Sequence, residues 1–227
     1  MERKMFITQK QKLEKHLKNV VFLILLLKMC TIFSQPNSPK KVIVIDPGHG
    51  GKDTGAIGVN YIQEKEVVLN IAREIVKLNK LILNNRFEIY LTRYNDTLIS
   101  LTDRTRLTKT IKADVFVSLH CNASKTASKG IEVYTYHSSL SFTKESIVLG
   151  LSILNESTQK LGLKKRGVKF ADFQVLRETI MYCPTILVEM GFITNPNEAF
   201  YFLKDSNIRA MSLAILLGIT NYLNTEL

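Results

Sequence analysis

The sequence predicts an α/β fold, a single domain in which about six strands are interleaved with helices. Three short apolar runs are the main evidence: VIVI at residues 42–45, DVFVSLH at 114–120 and TILV at 185–188. Apolar runs without polar alternation are typical of strands that are covered on both faces. Hydrophobic residues make up 45% of the 227-residue chain, which is enough for one sizeable core, and the sequence shows no internal repeat.

The first strand leads directly to a candidate functional residue. Asp46-Pro47-Gly48 ends the strand, because proline lacks a backbone donor and glycine permits backbone angles that other residues avoid. His49 follows between glycines, so its side chain is displayed at a strand end with little steric cover. On this segment alone, His49 is either a metal or substrate contact or an incidental residue of a tight turn.

A helix is predicted from Glu64 to residue 83. Positions 64, 68, 71, 75, 78 and 82 form one helical stripe, and all but the first are apolar. This places the carboxylate of Glu64 on the core-facing stripe, whereas Glu66 should face solvent. Acidic residues are favoured at helix N-termini, so capping explains Glu64 about as well as metal binding does. An inward carboxylate still needs a partner, and a metal ion would supply one.

Two later strands deliver polar side chains at the same edge of the sheet. One ends in His120, and the other is followed by Glu189. Ligands of open α/β sheets bind at the carboxyl ends of the strands. A lone buried histidine is more often a core residue, but two histidines and one carboxylate are a known catalytic zinc set. We therefore predict one Zn²⁺ held by His49, Glu64 and His120, with Glu189 moving the proton of an activated water.

The remaining elements follow from shorter patterns. Further strands are predicted at 87–92 and 130–136, and helices at 100–112, at 142–161 and from residue 195 to 223. Residues 121–123 are predicted to form a turn, 164–169 a basic turn and 173–177 a short extended segment. The basic turn is either a solvated loop or a surface that steers an acidic polymer towards the site, and His137 is expected to be exposed.

Four motifs resemble those of the zinc-dependent N-acetylmuramoyl-L-alanine amidases, the type 3 cell-wall amidases. They are DPGHGG with His49, QEKEVVL with Glu64, VSLHCNA with His120 and ILVEMGFITN with Glu189, supported by SLTDRTRL, GIEVY, RGVK and FQVLRET. The resemblance spans about residues 42–222. It implies a mixed, mostly parallel twisted sheet, three zinc ligands and a catalytic glutamate. The implied reaction is hydrolysis of the amide between N-acetylmuramic acid and L-alanine in peptidoglycan, for wall remodelling or daughter-cell separation.

Four other residues are candidates for substrate contact or for support of the site, namely Asn122, Arg104, Arg177 and Asn195. For Arg104, a structural ion pair or a cap on a carbonyl is favoured over substrate contact. Some members of the resembled family carry an inserted helix that blocks the zinc until a protein activator binds. Only about 30 residues separate GIEVY from RGVK here, and one helix accounts for them, so we expect an unblocked site.

The N-terminal residues predict export. Residues 1–35 are interpreted as a secretory signal peptide cleaved near Ser34 or Gln35, 36–41 as a linker and 42–225 as the catalytic domain. A basic segment precedes the apolar run VVFLILLL at 20–27, and this run is shorter than the roughly 20 residues of a membrane span. We expect a periplasmic or envelope location without a stable transmembrane segment after processing, a retained anchor being the alternative.

Charge and cysteine content narrow the possible partners. The net charge is +11, but the first 35 residues hold seven bases against two acids and so account for nearly half of the excess. The moderately basic remainder suits an anionic polymer such as peptidoglycan, and no nucleic acid is expected. Cys121 and Cys183 are placed at opposite ends of parallel strands, beyond the roughly 7 Å that a disulfide spans, so no bridge is expected.

Three other functions are compatible with parts of the sequence. A non-catalytic peptidoglycan-binding module is disfavoured because all four candidate residues of the site are present. A zinc peptidase or deacetylase would use the same residues on another amide. A nucleic-acid binder would explain the charge, but the leader and the lack of a recognition motif argue against it.

Overall fold

The computed structural model describes residues 12, 14–24, 26, 39–139 and 142–225. The chain forms two units, Met1–Pro39 and Lys40–Leu227. In the first unit, residues 14–24 are helical. The predicted cleavage region near Ser34 lies outside the described residues, as do residues 36–38 of the predicted linker. Among the helices that the structure describes, none has the length and apolar character needed to cross a membrane.

The second unit contains one six-stranded sheet. Its strands are β1 (Val42–Pro47), β2 (Glu88–Leu91), β3 (Val115–Asn122), β4 (Ile131–Thr135), β5 (Lys165–Phe170) and β6 (Thr185–Phe192). They lie in the order β2-β1-β3-β6-β4-β5. Every neighbouring pair is parallel except β4 and β6, which are antiparallel. The predicted α/β class and the mixed, mostly parallel sheet of six strands are confirmed.

Helices cover both faces of this sheet. They are α1 (Glu64–Leu81), α2 (Leu101–Thr110), α3 (Thr143–Leu161), α4 (Gln174–Thr179), α5 (Pro196–Phe202) and α6 (Asp205–Thr225). The larger core packs α1, α3 and α6 against one face, and the smaller core lies on the other face beneath α2 and α4. Helix α3 thus accounts for the segment between β4 and β5, as expected, and it lies on the larger-core face.

Helix α1 follows the predicted stripe closely. Val68, Ile71, Ile75 and Leu78 are fully buried, and Glu64 is only 4% exposed. The helix ends at Leu81 rather than at residue 83, so the last position of the stripe lies outside the helix and is exposed. Glu66 is exposed, as the periodicity predicts.

Two predicted segments were assigned the wrong structure. Residues 164–169 were expected to form a turn, but Lys165–Phe170 is the edge strand β5, which pairs on one side with β4. Its two end residues are exposed and the four between them are half-buried, so it shows neither an apolar run nor a clear alternation. Residues 173–177 were expected to be extended, but Gln174–Thr179 is the short helix α4, which buries Val175 and Leu176 in the smaller core.

Strands β3 and β6 are also longer than predicted. Cys121 and Asn122, expected in a turn, continue β3 after a register shift against β6. Glu189, expected at the end of its strand, lies inside β6 opposite His120. The two neighbours continue their ladder beyond the apolar runs that identified them. Cys121 and Cys183 are buried, free thiols, in agreement with the prediction.

A buried ion pair connects β1 to α2. Asp46 is 1% exposed and accepts hydrogen bonds from Arg104 Nη1 at 2.6 Å, Thr92 Oγ1 at 2.5 Å and Ser118 Oγ at 2.7 Å. Burial alone would raise the pKa of Asp46, but the charge of Arg104 and these hydrogen bonds outweigh it and lower the pKa. Arg104 therefore makes the structural ion pair that was favoured for it.

We expect Arg104→Met to lower the free energy of unfolding by about 3–5 kcal/mol, because it leaves the Asp46 carboxylate buried without its cation. Urea denaturation measures the change. Lys41→Met is the control, since Lys41 pairs with Asp114 at 2.8 Å on the surface, where loss of the pair costs at most about 1 kcal/mol. Equal effects of the two substitutions would show that the buried Arg104–Asp46 pair contributes no more to the free energy of unfolding than the surface pair does.

Candidate metal centre and active site

The turn after β1 is held by two buried arginines. His49 has a φ of 59°, in the left-handed region that few non-glycine residues adopt. Arg104 donates from Nη2 to the carbonyl oxygen of His49 at 2.7 Å and from Nη1 to that of Pro47 at 2.7 Å. Arg93 donates from Nη2 to the carbonyl oxygen of Gly48 at 2.8 Å. These bonds satisfy three turn carbonyls and fix the backbone that presents His49.

Two glycines make room for the candidate ligands. A Cβ atom on Gly48 would overlap the imidazole of His120, and one on Gly55 would overlap Glu64 and His49. These two glycines thus let the side chains of the candidate ligands approach one another.

Three predicted metal ligands come together at the carboxyl edge of the sheet. His49 Nε2 lies 3.1 Å from Glu64 Oε1, and His120 Nδ1 lies 2.8 Å from the same oxygen. One donor atom from each residue fits within a set whose members are all within 4.8 Å of one another. Their side chains come from the β1 turn, the first turn of α1 and β3, so residues distant in sequence form one cluster.

The carboxylate and one imidazole of this cluster are held by further hydrogen bonds. Glu64 accepts from the backbone N–H of Cys121 at 3.0 Å and of Ala56 at 2.9 Å. His49 Nδ1 is bonded to Asp53 Oδ2 at 2.9 Å, which leaves Nε2 directed at Glu64. Such outer hydrogen bonds orient metal-binding histidines and set their tautomer. None of the described residues other than Glu64 hydrogen-bonds to the ring of His120.

Electrostatics couple the three residues. Burial disfavours the charged form of His49, but hydrogen bonds and charges from Glu64 and Asp53 outweigh it and raise the pKa of His49 to about 9. Burial likewise opposes ionisation of Glu64, yet the two histidines hold its pKa well below the usual range. Two imidazoles thus converge on one ionised carboxylate. This donor set matches what catalytic zinc sites use, and the residues fit such a metal.

Glu189 lies next to this cluster. It is the Cα partner of His120 in the β3–β6 ladder, so both side chains point to the same face of the sheet. Its Oε2 atom is inaccessible to solvent and has no hydrogen-bond partner among the described residues. Burial raises the pKa of Glu189 to about 7. A carboxyl group that titrates near neutrality beside three candidate metal ligands can take up and release a proton.

The secondary candidates are placed differently. Asn122 extends along β3 beyond His120 and donates to Glu132 Oε1 at 2.7 Å. Arg177 forms an exposed ion pair with Asp172. Asn195 caps α5 and donates to the carbonyl oxygen of Ser128 at 3.1 Å. Arg177 and Asn195 make no hydrogen bond to the three candidate ligands.

Several residues that shape the site were not singled out from the sequence, although Arg166 and Lys169 belong to the basic segment 164–169, which was interpreted as a solvated loop or a steering surface. Asp46 and Arg93 fix the first turn, and Glu132, Arg166 and Lys169 form a charged cluster beside Asn122. Glu132 left a readable signal, because it is an acidic residue inside the strand pattern GIEVY. A groove of about 620 Å³ also opens beside His49 and His120, bordered by residues 98–101, Asp103, Arg104 and Asp53.

Residues 43–221 match the family model described as N-acetylmuramoyl-L-alanine amidase. The chain is 40% identical to the endolysin of Bacillus phage SPP1 over 190 residues, which cover 82% of the chain and 67% of the endolysin. It is 40% identical to the N-acetylmuramoyl-L-alanine amidase LytC of Bacillus subtilis over 161 residues, which cover 70% of the chain but 31% of LytC. The crystal structure of N-acetylmuramoyl-L-alanine amidase from Clostridium difficile 630 superposes with a TM-score of 0.76 at 32% identity, covering 83% of the chain and 100% of that structure.

We expect His49→Ala to weaken zinc binding by at least about 10–100-fold, a loss that even outer hydrogen-bond partners of zinc ligands produce. Elemental analysis of purified protein after dialysis against zinc measures the occupancy. His137→Ala is the matched control, because His137 is exposed and its ring contacts Phe170. Full zinc occupancy in the His49 variant would remove His49 from the ligand set.

Proposed function

The chain belongs to the N-acetylmuramoyl-L-alanine amidase family, and we propose that it hydrolyses the amide between N-acetylmuramic acid and L-alanine of the stem peptide in bacterial peptidoglycan. The observation that carries the proposal is the cluster of His49, Glu64 and His120 beside Glu189. Two imidazoles and a carboxylate can hold a metal ion. A second carboxylate, whose Oε2 has no hydrogen-bond partner among the described residues, can carry out the proton transfer that amide hydrolysis requires.

Zn²⁺ is the metal we propose for this cluster, as one ion held by His49, Glu64 and His120. When bound, it supplies Lewis-acid chemistry, polarising the scissile carbonyl and making water a stronger nucleophile near neutral pH. The chain's contribution is to orient the ligands. Asp53 fixes the ring of His49, and the backbone N–H groups of Ala56 and Cys121 fix the carboxylate of Glu64.

Glu189 is the proposed catalytic residue. Its carboxylate accepts the proton from the water whose oxygen bonds to the lactyl carbonyl carbon. It then donates that proton to the amide nitrogen as the carbon–nitrogen bond breaks, so that the L-alanine amino group leaves in a neutral form. A pKa raised to about 7 by burial suits both halves of this transfer.

A role in the cell envelope follows from the substrate. We propose that residues 1–35 direct export and that the domain at 42–225 acts on the wall during remodelling or daughter-cell separation. Helix α3 packs on the larger-core face, away from the face that presents Glu189, which supports an unblocked site. A protein activator is therefore not required to displace this helix.

We expect Glu189→Gln to lower the rate of stem-peptide release from purified sacculi by about 10²–10⁴-fold, the contribution typical of general acid–base catalysis. The variant should keep its zinc, because Glu189 is not among the proposed ligands. Mass spectrometry of the soluble products identifies peptides with a free L-alanine amino group.

Glu178→Gln provides a control on the same side of the sheet, since Glu178 lies in α4 and is bonded to Thr105 and Gln174. Release of stem peptides by the Glu189 variant at the wild-type rate would remove Glu189 from the mechanism. Products cleaved at a different amide would instead identify a peptidase or a deacetylase.

A further inference from the structure

A buried carboxylate on β4 and two cations on the edge strand β5 lie beside the active site. Glu132 on β4 is 2% exposed, and its Oε2 accepts from Arg166 Nε and Lys169 Nζ, each at 2.6 Å. Its Oε1 accepts from Asn122 Nδ2 at 2.7 Å and from the Tyr134 hydroxyl at 2.8 Å. All four bonds come from side chains, so Glu132 acts as the anchor of a polar cluster.

Arg166 and Lys169, which we term the cationic pair, carry more positive charge than the single carboxylate of Glu132 neutralises. One cation neutralises one carboxylate, so the cluster of Arg166, Lys169 and Glu132 carries one surplus positive charge. Both cations keep access to solvent, with 27% of the Arg166 side chain and 40% of the Lys169 side chain exposed. Arg166 uses only Nε, and its Nη1 and Nη2 groups make no hydrogen bond with the described residues. These groups form the fork that binds carboxylates in two-point fashion.

The cationic pair is held in a defined orientation. The guanidinium of Arg166 lies over the ring of Phe192 at 4.9 Å, and the ammonium of Lys169 lies over that of Tyr134 at 5.8 Å. Burial would raise the pKa of Glu132, but its bonds to Lys169, Arg166 and Tyr134 outweigh it and lower the pKa. The anchor thus stays ionised and restrains both long side chains before any ligand arrives.

The strand register fixes the position of Glu132 and the cationic pair relative to Glu189. Glu132 is the Cα partner of Glu189 across β4 and β6, so the two side chains emerge on the same face of the sheet. Strand β5, which carries the cationic pair, is the next strand beyond β4. Two strand spacings place the pair roughly 10 Å from the line of Glu189. An extended peptide covers that distance in about three residues.

The opposite side of the site has a different charge. There the groove beside His49 and His120 is lined by three carboxylates, those of Asp46, Asp53 and Asp103, and by the guanidinium of Arg104, which is paired with Asp46. A carboxylate in a ligand is better matched by the cationic pair, which carries a surplus positive charge, than by this groove. The charge distribution therefore assigns a direction to a substrate that has one acidic half.

We infer that Arg166 and Lys169, restrained by Glu132, bind a carboxylate on the second or third residue of the stem peptide while the scissile amide lies at Glu189. The inference rests on the proposed function and adds a substrate class to it, namely stem peptides with a free carboxylate rather than a carboxamide at that position. The glycan half of the substrate then lies towards the groove lined by residues 98–104.

The test compares two synthetic N-acetylmuramoyl tripeptides. One has free carboxylates on its second and third residues, and the other has carboxamides at both. The wild-type enzyme should show a KM about tenfold lower for the carboxylate, as expected for a charge-assisted hydrogen bond. Lys169→Met should raise KM for the carboxylate substrate about tenfold with little change in kcat, and should leave the carboxamide substrate unaffected. Lys169→Arg, which keeps the charge, should restore most of the difference.

Lys165→Met is the matched control. It removes the same charge from the same strand, but Lys165 donates to Asn155 at 2.8 Å instead of to Glu132. Equal KM values of the wild-type enzyme for the two tripeptides would overturn the inference while leaving the amidase activity intact, and that comparison needs no variant. An equal loss of activity towards both tripeptides in Lys169→Met would also overturn the inference, because it would show that Lys169 has a structural role. Failure of the wild-type enzyme to cleave either tripeptide would contradict the proposed function and this inference with it.

Discussion

The carboxylate of Glu64 is the group on which the organisation of the site depends. It is nearly fully buried, and a buried carboxylate is costly unless it is bonded on several sides. Its partners come from two separate parts of the chain, namely His49 and Ala56 in the loop after β1 and His120 and Cys121 at the end of β3. One group at the start of α1 thereby determines how the edge of the sheet is assembled.

The backbone around this carboxylate is fixed by a second set of buried charges. Asp46 holds Arg104, and Arg104 with Arg93 satisfies the carbonyls of the turn that carries His49. The strained φ of His49 persists because these bonds and the contact of Gly48 with His120 over-determine the turn. Pre-organisation of this kind lowers the cost of bringing two imidazoles and a carboxylate together for a metal.

The sequence predicted the parts of the site that follow from periodicity and strand ends. His49 and His120 were recognised because each stands at or just after the end of a predicted buried strand, and Glu64 because a carboxylate interrupts an apolar helical stripe. The edge strand β5 and the short helix α4 were missed, since neither has a periodic apolar face. The cluster around Glu132 was missed for a related reason. Its members lie on β3, β4 and β5, and only the strand order, which no local pattern encodes, brings them beside Glu189.

The central claim is that one metal ion is shared by His49, Glu64 and His120. Anomalous X-ray diffraction at the zinc edge, on crystals grown with Zn²⁺, tests it most directly. We expect a single strong peak in this domain, with nitrogen or oxygen atoms of all three residues at about 2.0–2.2 Å from the metal. A metal ion coordinated by other residues, or one that Glu64 does not contact, would contradict the shared site.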